Sequence, residues 1–552
     1  MSFVIGIVFL YLFSFFRQMK SGFYASFIPV VFFWILLSAV YKKDKERFFS
    51  FIHQYLDLGL LLFCIGYSVI ILVYRNASFS NWDEFQHWGP MVRESLKYNT
   101  FYSIPEADLI IHKDYPPFFS LLGCLFCYLW GGSYSESKMY IGQMTLMYSI
   151  FLSALPSLNY RKVSDWIKCM LSLIMIVLCG MFVQYTPYAS DTALVYNSVY
   201  IDWPMAVFSA YTFFTVIKAD TDDVYEKIHI ITCLTMVLFM KQVGYGVYAL
   251  ALVLLFVFDL FIKKKKIHVA YLIYLILPLL IRFTWMDYVK KVGAFATAQF
   301  SISELLKGIL SLFTGKADLL NWQLIAYENF TEAVFHRYLV VRQIPLTYFA
   351  TTFLISVILY FVEQGKKEKV ALSVLYFLGS IGYAFVMLFL YMFSFGDFEG
   401  PTLASFNRYM ISYMYIGVCL LVLLGFYYQK DSDSHYRTIL TFVFLIAFSD
   451  FSAEHHFPAK EYQNLEMDSK YSETLRYLEQ YNDERILIIE QYEMIHLFQI
   501  RLSYAGYDMS KIKVIRVENG EMNLYSSVYL TLEEWKDLLK DYDLLYLELV
   551  DD

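Results

Sequence analysis

MKQVGYGVYALALVLLFVFDLFIKKKK, residues 240–266, decides the fold class. A helix needs about 20 apolar residues to cross a bilayer core. Residues 244–262 form such a run, and Lys263 to Lys266 close it with positive charge of the kind that anchors a span on its cytoplasmic side. Similar runs extend in both directions: 2–16, 23–41, 57–74, 137–156, 169–185, 199–217 and 228–240 before it, and 267–285, 346–362, 370–394, 409–428 and 438–451 after it. With 244–262 these make thirteen expected spans. A further apolar stretch, 115–130, opens with Tyr115-Pro116-Pro117 and reads as an interfacial helix docked on the bundle.

Composition agrees. Of 552 residues 58% are hydrophobic and only 17% charged, whereas a soluble domain averages roughly 25% charged. Aromatics reach 20%, including 49 Tyr, a residue whose apolar ring and polar tip suit membrane interfaces and sugar-binding surfaces. The expected class is therefore an α-helical polytopic membrane protein. A net charge of −7 with no basic nucleic-acid footprint argues against nucleic-acid partners. All seven cysteines lie in apolar runs and read as small buried hydrophobes, the Cys124/Cys127 pair included. The N-terminus lacks a positive region and a cleavage site, so it reads as a retained helix.

Lysine and arginine set the expected orientation. Lys42, Lys43, Lys45 and Arg47 share one set of alternate loops with Arg161, Lys162, Lys168, Lys218, Lys227, the 263–266 run, Lys366, Lys367, Lys369, Lys430 and Arg437. That places the N-terminus in the cytoplasm and three long segments outside: 75–136, 286–345 and 452–552. The expected domains are a two-helix extension (1–56), a transmembrane module (57–451) and an extracytoplasmic α/β domain (452–552). In that domain DSKYSETLRYLEQY and QYEMIHLFQIRLSYAGY read as helices, RILIIE, KIKVIRV and YDLLYLELV as strands, and LTLEEWKDLLKDY as a helix capped by Thr531.

The first outer segment carries the densest chemistry: NWDEFQHWGP, with the acidic pair Asp83-Glu84 just past a span. Adjacent carboxylates repel, which tunes one toward a base and leaves the other to orient an acceptor or hold a divalent metal. Trp82 and Trp88 offer apolar faces for a sugar ring, and His87 a polar contact. An acidic pair in the first outer loop, followed by a Tyr-Pro-Pro-hydrophobic segment, resembles the GT-C superfamily of membrane glycosyltransferases, nearest the protein O-mannosyltransferases and the lipid A aminoarabinose transferases. The resemblance covers roughly 57–285, with two extra spans in front. It implies that Asp83 serves as catalytic base, with Glu84 beside it, and that Pro116-Pro117 starts an interfacial helix.

Charges at the edges of other spans fit the same activity. Asp202 begins one span, Lys241 sits in a tight turn between two, and Arg408 and Tyr409 begin another. Charge at membrane depth is expensive and tends to mark a site. His112 and Asp114 are expected to line the pocket; Arg337 and Arg342 are weaker candidates. The expected function is transfer of a hexosyl or pentosyl group from a polyprenyl-phosphate donor to a cell-surface glycan, lipid or protein, with inversion, in a bacterial plasma membrane. The competing classes are a polysaccharide polymerase or ligase, which would put key arginines in large outer loops, a transporter or flippase, which would show mid-membrane charges and repeats, and a structural or sensory protein.

Overall fold

The computed structural model describes residues 2–46, 48–49, 57–107, 109, 112–159, 161–182, 194–266, 269–294, 310, 314, 319–340, 345–430, 435–451, 480–481, 484–490, 504, 511–516 and 531–548. The chain divides into two compact units, Met1–Arg75 with Met91–Pro458, and Asn76–Pro90 with Ala459–Asp552.

The first unit is a helical membrane protein. Its helices are α1 (Ser2–Ser14), α2 (Met19–Ala25), α3 (Ile28–Lys43), α4 (Leu58–Tyr74), α5 (Gly89–Tyr98, which starts in the other unit), α6 (Phe118–Leu129), α7 (Glu136–Ser153), α8 (Val163–Gly180), α9 (Asp202–Lys218), α10 (Val224–Met240), α11 (Gly244–Phe256), α12 (Val269–Lys291), α13 (Asn321–His336), α14 (Tyr348–Val362), α15 (Lys366–Phe393), α16 (Gly396–Thr402), α17 (Phe406–Tyr427) and α18 (His435–Phe448). Among the described residues, six helical stretches are long and apolar enough to cross a membrane: Met19–Lys43, Val163–Gly180, Gly244–Ile262, Tyr271–Lys291, Lys366–Phe393 and Phe406–Tyr427. Phe3–Ser14, Leu58–Tyr74, Phe118–Leu129, Tyr348–Val362 and His435–Phe448 are shorter apolar helices.

The core is built around α17. Its side chains are buried almost without interruption from Phe406 to Phe426, as a helix apolar on every face requires. It packs on α9, α14, α15, α18 and α8. The 115–130 stretch forms α6 once Pro117 has been passed, and Phe118 to Cys127 are all buried against α7, α1, α10 and α2. It is thus embedded within the helices rather than lying on their surface.

Between α12 and α14 lie α13 and a short antiparallel pair, β1 (Tyr338–Val340) and β2 (Leu346–Thr347). In the second unit three parallel strands, β3 (Ile486–Glu490), β4 (Ile512–Arg516) and β5 (Leu544–Glu548), stand in the order β4-β3-β5. They coincide with the three strand patterns of the sequence. Helix α19 (Leu532–Leu539) starts at Thr531, whose hydroxyl accepts from Glu534 N while the Glu534 carboxylate accepts from Thr531 N; this is the capping box the sequence spells out. The two helices expected from DSKYSETLRYLEQY and QYEMIHLFQIRLSYAGY fall almost wholly outside the described residues.

Candidate functional site

Three distant residues of the first unit converge. Asp202 is the first residue of α9, Lys241 caps the C-terminus of α10, and Arg408 lies in the first turn of α17. Lys241 Nζ donates to Asp202 Oδ1 at 2.8 Å, and Arg408 Nε lies 3.8 Å from Asp202 Oδ2. Asp202 and Arg408 are buried. The Arg408 guanidinium sits 4.7 Å from the Tyr200 ring centre, and Lys241 Nζ 5.3 Å from that of Tyr409. Burial by itself would lower the Lys241 pKa, but Asp202 and Tyr409 outweigh it and hold the ammonium above its ordinary value. Two cations thus approach the two oxygens of one carboxylate.

Beside the cluster opens a cavity of about 610 Å³. Lys241, Gln242, His112, Asp114, Tyr115 and Tyr409 are among the residues that line it. Apolar side chains make up most of the rest, among them Leu250 and Val253 on α11 and Val386, Met387 and Leu390 on α15, alongside Tyr245, Tyr383, Tyr413 and Ser394. Lys241 and Gln242 occupy the turn before α11, whereas Val253 is about 14 Å further along that helix at 1.5 Å per residue. Along α11 the lining therefore passes from Lys241 and Gln242 before its start to Leu250 and Val253 further on. Gly246 and Gly382 look into open space, with nothing within 4 Å of a hypothetical Cβ, whereas a Cβ at Gly379 would press on the side-chain ends of Leu250 and Tyr413.

Asp114 and His112 come from the loop before α6. Asp114 Oδ2 accepts from Gln242 Nε2 at 2.9 Å, and its carbonyl accepts from Trp285 Nε1 at 3.0 Å. Burial pushes the Asp114 carboxyl above its ordinary value, against the pull of Arg282 and the Gln242 hydrogen bond. His112 holds a left-handed backbone, φ +60°, and its ring stacks on Tyr115 at 4.2 Å. Such strain costs of order 1–3 kcal/mol in a non-glycine residue and recurs at functional sites.

Arg282 was not picked out from the sequence. It lies inside α12, is buried, and sits 5.9 Å from the Tyr245 ring and 6.0 Å from that of Phe239. Among the described residues its Nε and Nη1 meet no hydrogen-bond partner. The signal was present: an arginine within the expected span 267–285 is itself a mark of function.

The acidic pair belongs to the other unit. Glu84 starts a π-helical turn, Glu84–Trp88, that runs into α5. Its side chain is buried, and Oε2 accepts from Ser80 N (2.9 Å), Asn81 N (2.8 Å) and Asn81 Nδ2 (3.1 Å). Glu84 thus ties its own loop together, while Asp83 is half-exposed. Trp82 is exposed and donates from Nε1 to Gln86. Trp88 is only 2% exposed, so it is a packing residue rather than the open face expected for a sugar; His87 is buried against it, rings 4.4 Å apart.

The first unit therefore brings together Asp202, Lys241, Arg408 and Tyr409, with His112 and Asp114 along the same cavity. Trp82, Asp83, Glu84, His87 and Trp88 share a single segment of the second. Arg337 packs on Phe406, 5.3 Å from its ring centre, and Arg342 falls outside the described residues. Among the described residues, no three His, Cys, Asp or Glu side chains converge as a metal site. No family model matches this chain, and no curated protein and no solved structure was found to be similar to it.

Proposed function

We propose that this chain is a GT-C-like membrane glycosyltransferase that moves a sugar from a polyprenyl phosphate to a cell-surface glycan, lipid or protein. The observation that carries this is the cavity: Lys241 and Gln242 line it before the start of α11, and apolar Leu250 and Val253 line it further along the same helix. That is the complement of an amphiphile with an anionic head and a long hydrocarbon tail.

The chemistry assigns each group a job. An acceptor hydroxyl attacks the anomeric carbon from the face opposite the phosphate, and the bond from that carbon to the phosphate oxygen breaks. Lys241 and Arg408 stabilise the departing polyprenyl phosphate. Asp202 holds the two cations together. The resemblance to the GT-C enzymes gives the acceptor's proton to Asp83, the half-buried member of the acidic pair, as general base. Glu84 keeps the Asp83 segment in shape.

Orientation follows the same proposal. Lys218 at the far end of α9 pairs with Glu363 at 2.7 Å and with the Tyr428 hydroxyl at 2.7 Å. Lys263 and Lys265 reach Ala219 O and Asp220 at that end. This basic end is about 24 Å along α9 from Asp202, at 1.5 Å per residue. We take it as cytoplasmic and the Asp202 end as external, with thirteen crossings and the C-terminal domain outside. Purified protein in nanodiscs carrying polyprenyl-phosphate-linked sugars should release polyprenyl phosphate when an envelope acceptor fraction is added. Retention of every donor tested would contradict the proposal.

A further inference from the structure

Asp83-Glu84 is flanked by two buried rings of its own segment, Phe79 and Phe85, which meet edge to face at 5.8 Å. Both pack on Tyr504, at 6.1 Å from Phe79 and 5.3 Å from Phe85, the latter edge to face. Tyr504 lies far along the chain in Ala459–Asp552, which forms one compact unit with Asn76–Pro90. The segment is therefore fixed twice. Inside, the Glu84 carboxylate gathers Ser80 N, Asn81 N and Asn81 Nδ2. Outside, Phe79 and Phe85 clamp it to a ring of the C-terminal domain. Glu84 and Phe85 face inward while Trp82 and Asp83 keep access to solvent. A loop held only by its own hydrogen bonds would fray; aromatic packing across a long sequence separation gives it a rigid seat.

We propose that Tyr504 is a positioning residue, and that the C-terminal domain carries the acidic segment and sets where the Asp83 carboxylate stands. This role presupposes Asp83 as the base of the reaction proposed above. It gives the small α/β domain a role in a transmembrane enzyme. Misplacing a reacting group by 1 Å costs about 10²-fold in rate, so releasing the seat should act on turnover and leave donor affinity alone.

The test uses the full chain in nanodiscs and reads two quantities: hydrogen exchange in peptides covering 76–90, and kcat with KM for a polyprenyl-phosphate sugar. Tyr504→Ala should raise exchange in 76–90 and lower kcat by up to about 10²-fold with KM unchanged. Tyr504→Phe, which keeps the ring, should restore both. Phe85→Leu probes the same contact from the loop side should Tyr504→Ala fail to fold. Unchanged exchange in 76–90 would overturn the docking, and raised exchange with unchanged kcat would overturn the positioning role. The exchange arm needs no turnover, so it still decides the docking if Asp83→Asn proves as active as the parent and Asp83 is not the base.

Discussion

Lys241 Nζ lies 2.8 Å from Asp202 Oδ1, joining the end of one helix to the start of another across 39 residues of sequence. The contact makes Asp202 a counterion, because a carboxylate committed to two cations is a poor proton acceptor. Removing one member of a buried charged pair costs about 3–5 kcal/mol. Asp202→Ala should therefore lower thermal stability by that order, and pairing it with Lys241→Met should recover part of the loss. Calorimetry or scanning fluorimetry in detergent checks both. Equal stability of Asp202→Ala and the parent would show that the pair does not matter.

Lys241 and Arg408 are expected to meet the donor phosphate. Each charge-assisted hydrogen bond is worth about 1.5–3 kcal/mol. Lys241→Ala and Arg408→Ala should each weaken binding of a polyprenyl-phosphate sugar by roughly ten- to a hundredfold, measured by competition with sugar-free polyprenyl phosphate. Affinity unchanged in both variants removes them from the site.

The apolar wall makes a separate prediction. Gly246 and Gly382 face open space, so Ala at either should be tolerated. A bulky Gly382→Trp should close the cavity to long isoprenoid chains. The KM for a long-chain donor should rise, whereas a short, water-soluble donor analogue should be used as before. Parallel losses for both donors would place the lipid tail elsewhere.

Asp114 supplies a pH-dependent prediction. Its pKa is raised by burial. A carboxyl raised on folding contributes stability that is fully present below its unfolded value, about 3.9, and that is lost as pH rises through the folded value. Asp114→Asn removes the charge that burial penalises and keeps an acceptor for Gln242. It should raise thermal stability at neutral pH relative to the parent, with the difference shrinking on acidification. A difference constant with pH would mean that Asp114 does not titrate in this way.

Much of the fold was legible because lipid imposes a simple rule: the expected spans were long apolar runs, and among the described residues each overlaps a helix. Asp202, Lys241 and Arg408 stood out as charges at the edges of such runs. Their pairing was not legible, since it depends on which helix ends the bundle brings together. Arg282 was passed over because hydropathy averages a single charge away within an apolar run. The different fates of Asp83 and Glu84, one half-exposed and one tied to Asn81, rest on a π-helical turn that residue types do not announce. The seat on Tyr504 joins segments hundreds of residues apart, and no local pattern encodes such a contact.

The central claim meets its most direct test in one comparison. Parent and Asp83→Asn proteins are placed in nanodiscs with a polyprenyl-phosphate-linked sugar and an envelope acceptor fraction, and released polyprenyl phosphate is measured. General-base catalysis contributes typically 10²–10⁴-fold. The parent should turn over, and Asp83→Asn should fall by about that factor while binding donor as tightly as the parent. A folded Asp83→Asn protein that transfers sugar at the parent rate would contradict the account.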